Sequence, residues 1–459
     1  MPVVKNPKSL VEATIKTILD NINCYGDNLT THLAPDPRQM VLDKLLKTTY
    51  WSDSLSISFK NSWLAFPSLL SRETKSIETN TLENIFNLHV KTTSSTGAEF
   101  PILKVLQLLA EKAPNLQELI VNHSGLNSRL CRDEIASFSN LNNLAELRIL
   151  RAIVLHSELK EIVENCKGLQ VIEVWNLRLE GEQKIDFLND GFLFHKIEFG
   201  SGDSISVTLD KDLSRPDNEP HDLLGPGPHY YLVGRPESVA DLKFLETQPH
   251  ATKLEIYCKD FKDEPKVSRF PHLPKLRCAT FRCWKHKTHA LECCLEENGR
   301  QLSRLAISPV NTSRSRIAAG LPLAKIFGWC SNLEWFSLEN FSMPSYNVPI
   351  SFISHLKYFR WFNKHDTRVD VSSVLTAPQL EDFEIGIYKL DLGDKKALFS
   401  RIAQKEILKN LKRFTVILLF KMDATNLLLQ DELAAEIKSA FPDVHEFKFR
   451  ALSKNLYVT

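Results

Sequence analysis

The chain has 459 residues, 57 Lys+Arg against 56 Asp+Glu, a hydrophobic share of 43% and nine cysteines. Balanced charge argues against a general nucleic-acid or membrane surface and leaves room only for local patches. The odd, scattered cysteines read as reduced thiols, the opening MPVVKNPKSL lacks the apolar run of a signal peptide, and no stretch is apolar enough to span a membrane, so a cytoplasmic or nuclear location is expected.

In chain order, residues 1–8 read as loose. Ser9-Leu10-Val11-Glu12 has the form of a capping box, with the serine accepting from first-turn amides and the glutamate reaching back. Leu10, Thr14, Ile18 and Ile22 follow at four-residue spacing, one apolar stripe on a helix of three to four turns. A polar turn region follows, then Leu33-Ala34-Pro35-Asp36-Pro37. Asp36 suits the N-cap and Pro37 the first helical position of a helix carrying Met40, Val41, Leu42, Leu45 and Leu46. Residues 1–50 therefore form a domain-like helical hairpin. Leu55, Ile57 and Phe59 then alternate like a strand.

From about residue 80 one phrase keeps returning: a leucine, two residues, an apolar residue, one residue, another apolar. Clear copies start at Leu116, Leu144, Leu169, Leu276, Leu302, Leu333, Leu356, Leu380, Leu411 and Val444, and weaker ones at Ile85, Phe194 and Ala251. A degenerate unit around Tyr231 and Val233 would fill the widest gap. Helical returns are expected over 102–113, 155–166, 238–246, 288–298, 396–407 and 427–440. Residues 200–229, rich in Pro, Gly and Asp, interrupt the beat and read as a surface loop.

The two apolar residues of each phrase lie two apart, so they leave a strand on the same side. One strand cannot bury that side alone, but stacked copies can. Over residues 51–459 the chain thus resembles the leucine-rich-repeat family. The fold that this implies is α/β: a horseshoe solenoid with a parallel concave sheet and convex helices, irregular because the customary asparagine or cysteine after the last apolar position is missing. Ser124, Ala152, Trp284, Phe341 and Lys364 stand there.

Ser9-Leu10-x3-Thr14-x3-Ile18 resembles the elongin-binding box of substrate receptors in cullin–RING ubiquitin ligases, with Thr14 in place of the usual cysteine. Leu33 to Pro37 and the helix after it resemble the cullin-selecting element, although Arg38 stands where an apolar residue belongs. The order, hairpin then repeats, is similar to receptors of the zyg-eleven and Zer-one type. The resemblance implies an adaptor-binding set of Ser9, Leu10, Thr14, Ile18, Leu33, Pro35, Val41, Leu42 and Leu45. The partners would be an elongin-type adaptor, a cullin and a protein substrate. An F-box built on Leu33, Pro35, Val41, Leu42 and Leu45 is a rival and implies a Skp-like adaptor. A third reading is a hairpin that only caps the apolar end of the solenoid of an intracellular scaffold.

Cys278, Cys283, His286, His289, Cys293 and Cys294 crowd together, but without paired Cys-x2-Cys spacing, and they read as structural thiols rather than a metal site. No phosphate-cradling Gly-rich loop, Gly-x-Ser-x-Gly or His-Glu-x2-His occurs, so no enzyme activity and no cofactor is expected. The phase of the repeats leaves Arg282, Arg304, Trp335, Glu339, Tyr358, Arg360 and Phe362 on the open sheet face as the candidate substrate-binding set. Aromatics beside arginines are the usual composition of binding hot spots.

Overall fold

A computed structural model describes residues 7–25, 29–48, 62–79, 86, 101–122, 129–178, 194–200, 204–210, 230–283, 288–310, 317–318, 322–342, 353–362, 368–370, 372–387, 389–418, 424–442, 444 and 446–451. The chain divides into two compact units. The first comprises residues 1–185, 192–195 and 203–218, and the second residues 186–191, 196–202 and 219–459.

The first unit opens with helices Pro7–Asp20, Ile22–Tyr25, Leu29–His32, Pro35–Thr48 and Ser62–Leu69. The first starts two residues ahead of Ser9, so the expected capping box lies inside its first turn. The fourth starts at Pro35, so Asp36 sits in the first turn and not at the cap. Proline at the first helical position forfeits no hydrogen bond, which explains the earlier start. Helix Pro35–Thr48 packs on Pro7–Asp20 and on Ser62–Leu69, and the helices bury Leu19, Ile22, Leu29, Phe66 and Leu69.

The repeats follow. In the first unit the strands are β1 (Ser76–Glu78), β2 (Glu118–Asn122), β3 (Glu146–Leu150), β4 (Val154–Leu155) and β5 (Val171–Arg178). Next in the chain are β6 (Phe194–Phe199) and β7 (Ser204–Asp210). β1, β2, β3 and β5 pair in parallel, and β7 closes on β5 antiparallel. The expected loop over 200–229 therefore contains a strand. Ile205 and Val207 alternate with Ser206 and are buried, a period-two signal that the surrounding prolines and glycines obscure. Residues 201–203 and 211–229 lie outside the described set, as do the copy at Ile85 and the expected strand over 55–59.

In the second unit β6 is followed by β8 (Tyr231–Gly234), β9 (Lys253–Tyr257), β10 (Cys278–Cys283), β11 (Arg304–Pro309), β12 (Ile317–Ala318), β13 (Trp335–Glu339), β14 (Phe341–Ser342), β15 (Tyr358–Phe362), β16 (Arg368–Asp370), β17 (Asp382–Ile387), β18 (Lys389–Asp391), β19 (Arg413–Leu418) and β20 (Glu446–Ala451). The sheet runs β6-β8-β9-β10-β11-β13-β15-β17-β19-β20, every pair parallel. β12 pairs with β14, and β16 with β18, in small sheets apart from it. The chain has the α/β leucine-rich-repeat fold, with returns through helices Ile102–Lys112, His156–Asn165, His289–Asn298, Lys395–Ala403 and Ala424–Ala440. The expected return over 238–246 is a 3₁₀ run, Val239–Thr247.

The sequence beat maps onto register. One interior row reads Leu232, Leu254, Ala279, Leu305, Phe336, Phe359, Phe383 and Phe414, all at most 2% exposed. From β13 onward this row is a column of rings with centroids 5.2–6.0 Å apart. The degenerate unit is real but shifted by one residue: Leu232 and Gly234 point inward, while Tyr231 and Val233 face the other way. A Cβ on Gly234 would lie 2.5 Å from Phe199 and 2.6 Å from Ile256, so glycine fills the interior position there.

Many strands of the parallel sheet enter by donating two amides to one carbonyl of the preceding repeat, as Glu334 and Trp335 do to Ser303 and Lys357 and Tyr358 do to Glu334. Asparagines one residue before the leucine add a side-chain rung: Asn143 to the Pro114 carbonyl at 2.8 Å, Asn332 to Arg300 at 2.7 Å and Asn410 to Pro378 at 3.1 Å. These bonds satisfy turn carbonyls that lie just ahead of the preceding strand. The turns after β3 and β13 use left-handed backbone at Arg151 and Asn340.

Candidate functional site

Alternation leaves one side chain in two facing away from the core. On β13 and β15 these are Trp335, Ser337, Glu339 and Tyr358, Arg360, Phe362, none of them buried. Register lines them up across strands. Arg304, Trp335, Tyr358, Asp382 and Arg413 form one row, and Thr280, Ala306, Ser337, Arg360, Glu384 and Thr415 the next. The predicted residues Arg282, Arg304, Trp335, Glu339, Tyr358, Arg360 and Phe362 thus share one open sheet face of the second unit.

Their side chains make three linked clusters. In the first, the Arg304 guanidinium lies 4.7 Å from the Trp335 ring centroid. On the other flank Tyr358 stacks on Trp335 at 5.1 Å with the rings 3° from parallel. Such contacts contribute about 0.5–1.5 kcal/mol each. In the second, Arg360 lies 4.5 Å over Phe362 and 3.3 Å from Glu384, which also accepts from the Tyr358 hydroxyl at 3.3 Å. Burial and the neighbouring Glu384 carboxylate push the Tyr358 hydroxyl well above the usual phenol range. Phe362 lies across Gly386, where a Cβ would come within 2.6 Å of its ring, so only glycine lets the ring lie flat.

The third cluster is centred on Glu255, which is 7% exposed. Tyr231 donates to one of its oxygens and Arg282 to the other at 2.8 Å. A second Arg282 nitrogen donates to Ser308 at 3.0 Å. Burial alone would raise the Glu255 pKa, but the hydrogen bonds from Tyr231 and Arg282 and the arginine's charge outweigh it and hold the carboxyl below its usual range. Asp382 goes the other way: burial raises it, and its ion pair with Arg413 only partly offsets that.

Sequence reasoning missed Glu255, Tyr231, Lys253 and Arg235. Lys253 lies 4.4 Å over Tyr231, and Arg235 4.4 Å over Tyr257. The misphased unit around β8 hid Tyr231. Glu255 was legible only as one more acid, since its burial depends on partners from two other strands.

The adaptor-binding set divides. Thr14 and Pro35 are exposed, and Ile18 and Leu33 are half-buried. Val41, Leu42 and Leu45 are at most 1% exposed and already packed by the chain itself. The helix face that carries those three is turned onto its neighbours in the same chain. The side chains of Ser9 and Leu10 lie outside the described residues. Met40 and Val11, at 45% and 44% exposure, stand on the outer faces of the two long helices.

Among the cysteines, burial pushes Cys330 up to about 12, and Cys294 and Cys283 are also raised well above the usual thiol range. The His289 ring lies 3.8 Å from the Cys293 sulfur. Among the described residues no three His, Cys, Asp or Glu side chains gather as metal ligands. No described helix is long and apolar enough to cross a membrane.

No family model matches the sequence. No curated protein matches it either. Among solved structures the chain is similar to an internalin (inlF) from Listeria monocytogenes, with 14% identity, 74% of this chain and 82% of that chain covered, and a TM-score of 0.35.

Proposed function

We propose that this chain is a non-catalytic receptor that holds a protein partner on the open sheet face of its second unit. The observation that carries the reading is the aligned row Arg304–Trp335–Tyr358 beside Arg360 and Phe362: rings and guanidinium groups fixed on a rigid sheet and turned away from the core. Locked aromatic and arginine side chains lose little freedom on binding, which is why they dominate contact energies.

The finer reading is a substrate-recognition subunit of a cullin–RING ubiquitin ligase. The helix Pro7–Asp20 would dock an elongin-type or Skp-like adaptor through Leu10, Thr14 and Ile18, as an amphipathic helix laid in a groove. The substrate would sit on the repeat face, and its lysines would meet the charged E2 by proximity. The burial of Val41, Leu42 and Leu45 favours a second reading, a scaffold whose helices only cap the first unit.

Co-expression with elongin B and C separates the two. Stable co-purification of the wild type, lost in a folded Leu10→Arg variant, supports the receptor. A Leu10→Arg chain that unfolds supports the cap. Two folded proteins that both fail to co-purify exclude the elongin version, and the same comparison with a Skp-like adaptor then decides the F-box version.

A further inference from the structure

The chemistry of the partner can be read from the charges on the open face of β6 to β11. Five basic side chains stand there, Lys196, Arg235, Lys253, Arg282 and Arg304, against two acidic ones, Glu198 and Glu255. Glu255 is buried and pairs with Arg282, so those two charges cancel and the excess of basic side chains on the strip stands unchanged. Glu198 faces both Lys196 and Arg235. Among the described residues no carboxylate pairs with Arg304. Its guanidinium rests on Trp335 alone and is only half-buried. A cation held in place by a ring, and left without a counter-ion, is oriented for one that arrives with a ligand.

We infer that the partner presents an extended acidic segment rich in Asp and Glu, laid across β6 to β13, with one carboxylate on Arg304 and an apolar side chain beside the Trp335–Tyr358 stack. This rests on the open face of the second unit being the binding surface.

The same face disfavours the other anionic macromolecules. Trp335 is flanked by Arg304 and Tyr358, Tyr231 by Lys253, and Tyr257 by Arg235, so stacking surfaces for nucleic-acid bases are already occupied. From β13 to β19 the face is mixed, Glu339, Asp382 and Glu384 standing beside Arg360 and Arg413, so a continuous phosphate backbone or an anionic bilayer would find no unbroken run of cations there. A peptide can place its carboxylates over the basic strip and its neutral residues over the rest. Parallel strands at regular spacing offer repeated cations to such a chain.

The test is an array of short peptides in four classes, Asp/Glu-rich, phosphoserine-rich, Lys/Arg-rich and neutral aromatic, probed with the full chain. Single-stranded RNA and phosphatidylserine vesicles serve as further probes. The Asp/Glu-rich class should be retained, with affinity falling as salt rises. Arg304→Gln should weaken it by about tenfold or more, equivalent to about 1.4 kcal/mol. Trp335→Ala should do the same, while Arg269→Gln, at an exposed ion pair with Glu297 outside the sheet, should leave it unchanged. Thermal melts confirm that each variant is folded. Preferential binding of phosphoserine peptides, RNA or vesicles overturns the inference, as does acidic binding that Arg304→Gln does not touch. Neutral or basic peptides bound in a Trp335-dependent way overturn it while leaving the binding face intact. No binding of any class to the folded chain overturns both.

Discussion

Each unit builds a parallel sheet of its own strands from the same beat, and the two open faces differ in chemistry. In the first, the described residues of the open face of β1 to β5 include Glu78, Glu118, Glu146 and Glu173, with Arg148 shared by Glu146 and Glu173 and Arg178 at the end of β5. In the second, the open face of β6 to β11 is basic and β13 to β15 adds stacked rings. The interiors differ as well. The first unit's row is aliphatic, Ile77, Leu119, Leu147 and Ile172, whereas the second's becomes Phe336, Phe359, Phe383 and Phe414. The beat dictates which residues are hidden and leaves the others free to differ, so backbone and binding chemistry vary independently in this molecule.

The largest expected effect breaks the comparison of interiors. Phe359 touches rings on both neighbouring strands, and Trp361 beside it, so Phe359→Ala should cost about 3–5 kcal/mol. Ile172→Val in the first unit should cost only about 0.5–1.5 kcal/mol. Urea denaturation followed by hydrogen exchange localises each loss; equal losses would mean that the ring column adds nothing to packing.

The next effect sharpens the account of the open face through pH. Glu255 is held below its usual range in the folded chain, so its contribution is complete above the unfolded pKa, near pH 4, and is lost as pH falls through the folded value. The stability difference between wild type and Glu255→Gln should therefore shrink on acidification below about pH 4. Asp382 is raised, so its ionisation opposes folding and the penalty sets in as pH climbs from the unfolded pKa through the folded one. Relative to Asp382→Asn, the wild type should gain on acidification through the same region. Chemical denaturation across that pH range reads both, and curves of the same sign would refute the contrast.

The smallest effect compares two exposed tryptophans. Trp175 of the first unit is 51% exposed and donates to Glu173 at 2.6 Å, and Trp175→Ala should change stability by no more than about 0.5 kcal/mol. Trp335→Ala removes a stack and a cation contact and should cost about 1 kcal/mol. Thermal melts of the two variants that coincide would place Trp335 outside any stack.

Much of this architecture was legible because register in a parallel stack follows from period alone. Leu333, Phe336 and Leu338 announce an inward row wherever they sit, and their neighbours Trp335 and Ser337 then have one direction left. What escaped had a different cause. β7 lay among prolines and glycines whose turn signals outweighed Ile205 and Val207. β8 keeps its phase through Gly234, which reads as a break in sequence but is demanded by Phe199 and Ile256 in space. The hairpin's stripe was read as a surface for an adaptor because period shows that a helix has an apolar face without saying what covers it. Val41, Leu42 and Leu45 are buried where their helix packs on Pro7–Asp20, its partner in the expected hairpin, and on Ser62–Leu69, which the sequence does not announce.

The most direct test of the central claim, that Trp335, Tyr358 and Arg360 share one outward face of a parallel sheet, is cross-strand thiol pairing. Ser337 and Arg360 are register partners on that face, and Ser337 and Glu384 lie in the same row two strands apart. Under mild oxidation the double variant Ser337→Cys, Arg360→Cys should close a disulfide, read by intact mass and free-thiol count, while Ser337→Cys, Glu384→Cys should stay open. A folded protein in which the first pair stays reduced, or the second pair links as fast, would contradict the register on which the binding face is built.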